Sequence, residues 1–202
     1  MKIAIIGAGN VGATLGRRFA EAGNDVAFGV SKPEEYQEGD LAGPAVSIRE
    51  AAADADAVLL AVPYAAAKSV VQECGGLSGK IVIDATNPLG MTPKGLNLIV
   101  GFTSSGAEEI AAAAPEAKFV KCFNQTGFTN MAEPRGSMMF VCGNDREANE
   151  TVQQLAADIG FDAITIGDLT KARLLEPLAM LWIQLSATTD LKRDFAFRID
   201  RH

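Results

Sequence analysis

Gly7-Ala8-Gly9-Asn10-Val11-Gly12 has the spacing G-x-G-x-x-G. It follows the apolar run Ile3-Ala4-Ile5-Ile6 and opens a helical pattern, the context in which these glycines hold a dinucleotide. Gly7 permits the tight turn, Gly9 admits the pyrophosphate to the backbone, and Gly12 lets helix and strand pack closely. The free N–H groups of the helix start then face the anion. An NAD site wants Asp or Glu about 20 residues further on, at the carboxyl end of the second strand. Asp25 is near that distance but precedes Val26, at the wrong end. The correct end reads Gly29-Val30-Ser31-Lys32, where a hydroxyl and a cation suit a 2′-phosphate better than a ribose diol. Ser31 and Lys32 therefore point to NADP, against the plainer account of a solvated Ser-Lys-Pro turn.

Further polar residues fall just after strands. Asn87-Pro88 follows Ile81-Val82-Ile83-Asp84, and Asn124 follows Lys118-Phe119-Val120-Lys121. Open α/β sheets bind ligands beyond their carboxyl edge, so both asparagines are expected at that crevice. Asn87 is the candidate catalytic residue there, its amide able to hydrogen-bond a ligand bound in the crevice. Lys121-Cys122-Phe123-Asn124 has the K-x-x-N spacing of 3-hydroxyacid dehydrogenases, but there the pair enters a helical second domain that this chain is too short to build. The plainer account makes Lys121 a strand-end charge and Asn124 a turn former. Phe123 and Phe128 suit either an aromatic acceptor or the core.

The elements that must position these residues alternate. Strands are expected at Ile3–Ile6, Val26–Phe28, Ala57–Ala61, Lys80–Ile83, Lys118–Lys121, Met138–Cys142 and Ala163–Ile166. Helices are expected after Gly7, over about 48–54 behind a Ser47/Glu50 capping box, and over Tyr64–Cys74, Ser105–Ala114, Arg146–Ile159 and Thr170–Asp194, the last interrupted by Pro177. Residues 31–46, Thr86 to about Thr103 and Asn124–Gly136 read as loops, with a helical turn after Pro33. This predicts an α/β fold: a doubly wound, mostly parallel Rossmann-type sheet with a short C-terminal extension. We expect a single dinucleotide-binding domain over 1–202, with 137–202 extending the sheet and adding helices; its only linker candidate lies around 132–137.

Composition narrows the function. With 18 Lys+Arg against 25 Asp+Glu and a net charge of −7, the chain lacks the basic footprint of a nucleic-acid binder and suits no anionic membrane. The only histidine is His202, so no Ser-His-Asp triad exists and no metal site is expected. Cys74, Cys122 and Cys142 form no CxxC pair, which points to a reduced, cytoplasmic protein. No signal peptide is read at Met1-Lys2-Ile3, and the apolar run Ala57–Ala67 is too short to span a bilayer. Leu174, Leu178, Leu181 and Leu185 form a stripe suited to core packing or to a homodimer helix face.

Val62-Pro63-Tyr64, Asp84-Ala85-Thr86-Asn87-Pro88-Leu89, Lys121-Cys122-Phe123-Asn124 and Ala172-Arg173-Leu174-Leu175-Glu176-Pro177-Leu178, with the glycine loop and Ser31-Lys32, resemble the NADPH-dependent oxidoreductases of 8-hydroxy-5-deazaflavin (coenzyme F-420). The reductase domain of the transmembrane metalloreductases is similar too. The resemblance implies cofactor contacts from Gly7, Ala8, Gly9, Asn10, Val11 and Gly12, and 2′-phosphate contacts from Ser31 and Lys32. It places Val62 and Pro63 on the adenosine-pyrophosphate side and Asn87 and Pro88 near the nicotinamide, where the Asn87 amide would align the two planar rings for hydride transfer with no acid or base required. Some archaeal relatives carry a further basic residue where this chain has Tyr36. The implied activity is hydride transfer between NADP(H) and a small-molecule planar acceptor: deazaflavin, FAD or FMN. The alternatives are an NADP-dependent hydroxyacid-type dehydrogenase and a non-catalytic NADPH-binding sensor.

Overall fold

A computed structural model of the chain describes residues 1–93 and 95–202. Eight strands form one sheet in the order β10-β9-β8-β5-β4-β1-β2-β3. Its left half in that order comprises β10 (Asp162–Thr165), β9 (Met138–Gly143), β8 (Lys118–Lys121) and β5 (Ile81–Asp84). Its right half comprises β4 (Ala57–Leu60), β1 (Lys2–Ile6), β2 (Asp25–Val30) and β3 (Ala45–Ser47). Every pairing is parallel except β8 with β9. The expected α/β doubly wound sheet is the one observed.

Strand side chains alternate between two cores. Ile3, Ile5, Leu59, Ile83 and Val120 join Leu15 and Phe19 of α1 (Asn10–Glu21), Met131 of α5 (Phe128–Ala132) and Val152 of α6 (Arg146–Asp158) on one face. Ala4, Ile6, Val58, Leu60 and Val82 join Ile48 of α2 (Ile48–Ala53), Val70 of α3 (Tyr64–Cys74), Ile110 of α4 (Gly106–Ala111) and Leu175 of α7 (Ala172–Thr188) on the other. Burial on both faces is why the central strands read as unbroken apolar runs rather than alternating ones.

Local signals hold where they carry a mechanism. The Ser47/Glu50 capping box is formed, with Ser47 Oγ accepting from the Glu50 N–H at 3.3 Å and Glu50 Oε2 from the Ser47 N–H at 3.0 Å. The turn after Pro33 is a short 3-10 segment, Pro33–Glu35. Three loop readings are corrected. The 31–46 segment ends in β3, whose three residues take their ladder from β2 and are too few to show a period. The 86–103 segment contains a hairpin, β6 (Leu89–Thr92) with β7 (Gly95–Leu98), turned by Gly95 at φ +99°. The 124–136 segment contains the single-turn helix α5.

The last helix also differs. Its α-helical span is Ala172–Thr188, against Thr170–Asp194 expected, and it runs straight through Pro177. Pro177 lies in its second turn, where one missing donor is tolerated because packing holds the helix. Helix α4 is shorter than expected, starting behind Ser105, whose Oγ accepts from the Glu108 N–H at 3.2 Å, and ending at Ala111 rather than Ala114.

Candidate functional site

The glycine loop is laced into the sheet edge. Gly7 N–H donates to Gly29 O at 3.0 Å, and Ala61 N–H to Ile6 O at 2.9 Å. Gly7 has φ +101°, and a Cβ there would lie 2.6 Å from Ala61 O. A Cβ on Gly12 would lie 1.9 Å from Gly7 O. Both are glycine because the backbone leaves no room. Gly9 differs: a Cβ there meets nothing within 4 Å, so the space above it is open. Gly9 is also the N-cap of α1, which has no side-chain cap and no acidic residue in its first turn. The helical ladder begins with Ala13 donating to Gly9 O at 2.8 Å. The N–H groups of Asn10, Val11 and Gly12 precede that rung and point where an anion is favoured. The loop thus fits a pyrophosphate on its own geometry.

Ser31 and Lys32 follow β2 directly and are exposed at the same edge. Lys32 Nζ pairs with Glu35 Oε1 at 2.6 Å, both side chains about two-thirds exposed. Such a pair is worth about 0–1 kcal/mol and exchanges readily for a phosphate. Asp25 pairs in register with Lys2, at the opposite edge. Val62 packs the loop: its Cγ1 lies 3.0 Å from where a Gly7 Cβ would stand. Pro63 is the exposed N-cap of α3.

Asn87 and Asn124 meet. Asn87 Nδ2 donates to Asn124 O at 2.9 Å, and Asn124 Nδ2 donates to Asn87 Oδ1 at 3.0 Å. Asn87 is half-buried and retains one donor and one acceptor site, whereas Pro88 is buried. Asn124 is not in the crevice as expected. It is 5% exposed. Its amide is spent on Asn87, Leu175 O and Gln125, because Gln125 in turn is fixed to both backbone groups of Phe140.

Lys121 corrects the strand-end reading most sharply. Its side chain is fully buried and ion-paired with Asp84 at 2.8 Å and Glu176 at 3.0 Å. It also donates to Thr86 O at 2.6 Å. Burial alone would lower its pKa, but the two carboxylates outweigh that and hold it above its ordinary value. Glu176 in turn accepts from Gly106 N–H at 2.9 Å and Ala107 N–H at 3.0 Å. Sequence reasoning passes over Asp84 and Glu176 as the partners of Lys121. Their signal was present: an acid ending an apolar strand and another inside a leucine-rich helix, each needing a buried partner.

The aromatic candidates separate. Phe123 is fully buried, packed edge-on against Phe19 with centroids 5.7 Å apart. It belongs to the core. Phe128 is half-buried and lines a cavity of about 530 Å³ with Arg17, Phe195 and Arg198. Phe195–Arg198 is a strap tied down at Phe195: Trp182 Nε1 and Asn130 Nδ2 both donate to Phe195 O, at 3.0 and 2.7 Å. The cysteines are buried and free, with burial pushing the thiols up, Cys74 to about 11 and Cys142 to about 12. Among the described residues, no three His, Cys, Asp or Glu side chains cluster as a metal site. No helix among them is long and apolar enough to cross a membrane.

Known proteins match along nearly the whole chain. The family model described as "NADP oxidoreductase coenzyme F420-dependent" matches residues 2–88. The F420-dependent NADP reductase of Methanocaldococcus jannaschii is 31% identical over 209 residues, 92% of each chain. Metalloreductase STEAP3 of Rattus norvegicus is 29% identical over 191 residues, 89% of this chain and 37% of that one. A crystal structure assigned as an F420-dependent NADP reductase from Arthrobacter sp. FB24 superposes with a TM-score of 0.89, at 31% identity and over 100% of both chains.

Proposed function

Since this chain belongs to the family of coenzyme F420-dependent NADP oxidoreductases, we propose that it is an oxidoreductase passing a hydride between NADP(H) and the deazaflavin coenzyme F420. The observation that carries the nucleotide half is the open space over Gly9, set between two glycines whose neighbours forbid a side chain. Bound NADP would supply the hydride at C-4 of its nicotinamide; the chain supplies binding, orientation and exclusion of water. Asn10, Val11 and Gly12 offer N–H groups to the pyrophosphate, with Gly7 and Ala8 shaping the turn. Ser31 and Lys32 hold the 2′-phosphate. Val62 and Pro63 border the adenosine-pyrophosphate side. Asn87 uses its remaining donor to orient the nicotinamide carboxamide or an oxygen of the acceptor ring, beside Pro88.

Hydroxyacid chemistry is disfavoured by the same structure. The lysine of the K-x-x-N pair is at 0% exposure with carboxylates on it, so it has no open face for a substrate hydroxyl. The chain acts as one dinucleotide-binding domain, residues 137–202 included, because β9 and β10 continue the sheet. Free buried thiols suit a reducing cytoplasm. Homodimer formation through α7 and the β6–β7 hairpin is supported by exposed Leu174, Leu181, Met91 and Ile99. Sedimentation equilibrium checks it, and a monomer at micromolar concentration refutes it.

The deciding experiment follows NADPH oxidation by the purified protein against coenzyme F420, FMN, FAD and a quinone. Fastest turnover with the deazaflavin is expected. NADPH binding without turnover on any acceptor would leave a sensor.

A further inference from the structure

Asn87 is held from several directions. Pro88 behind it restricts its backbone. Asn124 takes its side chain in two hydrogen bonds. The Thr86–Asn87 peptide ahead of it is held through its oxygen, which accepts from Lys121 Nζ at 2.6 Å. The preceding N–H, that of Thr86, donates to Asp84 Oδ1 at 2.9 Å.

An ammonium has three N–H donors. Those of Lys121 meet Thr86 O, Asp84 Oδ2 and Glu176 Oε1, so all three are spent. Lys121 thus ties the end of β5 to α7 from the end of β8. Leu175, beside Glu176, contributes its carbonyl to Asn124 Nδ2 at 3.1 Å. The backbone of Asn87 and the side chain that braces it are therefore fixed by one connected buried network. A lysine with no free donor and no exposure has no route to exchange protons with a ligand.

We propose that Lys121 is a positioning residue: by holding the carbonyl of Thr86 it sets the plane of the Thr86–Asn87 peptide, and so the direction in which Asn87 meets the nicotinamide. The proposal rests on the reading of this edge as the nicotinamide site. A merely structural role would show in stability alone, whereas positioning shows in the order of the bound ring.

The probe is NADPH, whose emission rises when its ring is immobilised and shielded from water. Lys121→Met removes the cation at similar volume, and Lys121→Met/Asp84→Asn also removes one carboxylate left unpaired. We expect both variants to bind NADPH within about twofold of wild type, because the phosphates supply most of the affinity. The emission enhancement should fall by more than half in both. Single-turnover hydride transfer to coenzyme F420 should fall more than tenfold. A double variant melting at the wild-type temperature with full enhancement overturns the proposal. So does a double variant that loses stability but keeps full enhancement, the outcome of a merely structural role.

The wild type beside Lys121→Met supplies a second test. The charged and titratable groups around Lys121 are Asp84 on β5, Glu176 on α7, Cys142 on β9 and Cys122 beside it on β8. Burial raises both thiols; burial first and the hydrogen bond to Glu109 second raise Tyr64, with Glu176 and Asp84 adding to the same direction. Because Lys121 is held above its ordinary 10.5, the bound-NADPH emission should show no titration between about pH 8 and 9.5 that the wild type has and Lys121→Met lacks; such a titration means that Lys121 changes charge and overturns the proposal. If the wild type binds NADPH but reduces no F420, the acceptor reading falls while the emission test stands. If it binds no NADPH, both fall.

Discussion

Asn87 and Asn124 exchange two hydrogen bonds, amide to amide oxygen at 3.0 Å and amide to carbonyl at 2.9 Å, across the ends of β5 and β8. The pair decides what each residue can do. Asn124 is consumed within the protein, and Asn87 is left with one donor on its open side.

Asn87→Ala should therefore have two separable effects. Hydride transfer should slow 10–100-fold, about 1.4–2.7 kcal/mol. Stability should fall by about 1–3 kcal/mol, because Asn124 is left with unsatisfied buried groups. NADPH affinity should change much less. Single-turnover rates and urea melts measure the two, and an undiminished rate removes Asn87 from the site. With NADPH deuterated on the transferred face, the label should appear in the reduced deazaflavin rather than in water.

NADPH should bind more tightly than NADH. Lys32→Ala should cost about 1.5–3 kcal/mol of NADPH binding and leave NADH nearly unchanged. The Lys32–Glu35 pair adds a prediction in the opposite direction. Glu35→Gln frees the cation and should tighten NADPH severalfold. Isothermal titration of both nucleotides decides; equal wild-type affinities would sink the assignment.

The two glycine substitutions should fail differently. Gly9→Val meets no protein atom at its Cβ, so the variant should fold and lose NADPH binding. Gly12→Ala puts a Cβ 1.9 Å from Gly7 O, so it should destabilise the fold itself. Thermal melts beside binding isotherms separate the cases. A folded Gly9→Val with normal NADPH affinity refutes the phosphate-loop placement.

Glu108 gives a pH prediction. Arg173 donates to it twice, at 2.9 and 2.6 Å, and that hydrogen bonding holds its pKa below the ordinary 4.5 despite opposing desolvation. A carboxylate with a lowered native pKa contributes stability above its unfolded value and loses it as pH falls through the native one. Glu108→Gln should thus be about 1 kcal/mol less stable than wild type at pH 7. The gap should close on acidification below about pH 4. An unchanged gap at pH 3 would show that the ion pair is not its source.

The sequence by itself determined the sheet's interior and the phosphate loop. Ile3–Ile6 and Ala57–Leu60 are apolar throughout because both faces are covered, and Gly7 and Gly12 state a backbone shape that leaves no room for a side chain, while Gly9 keeps the space above the loop open. Those are local requirements, written within a few residues. Only the tertiary structure decided that Lys121 is a sealed cation rather than a strand-end charge, since its partners Asp84 and Glu176 lie 37 and 55 positions away in the chain. The same holds for the Asn87–Asn124 clasp and for β3, whose ladder is supplied by β2. A period reports which face of an element is buried. It does not report which buried polar groups meet, because that depends on how distant strand ends are brought side by side.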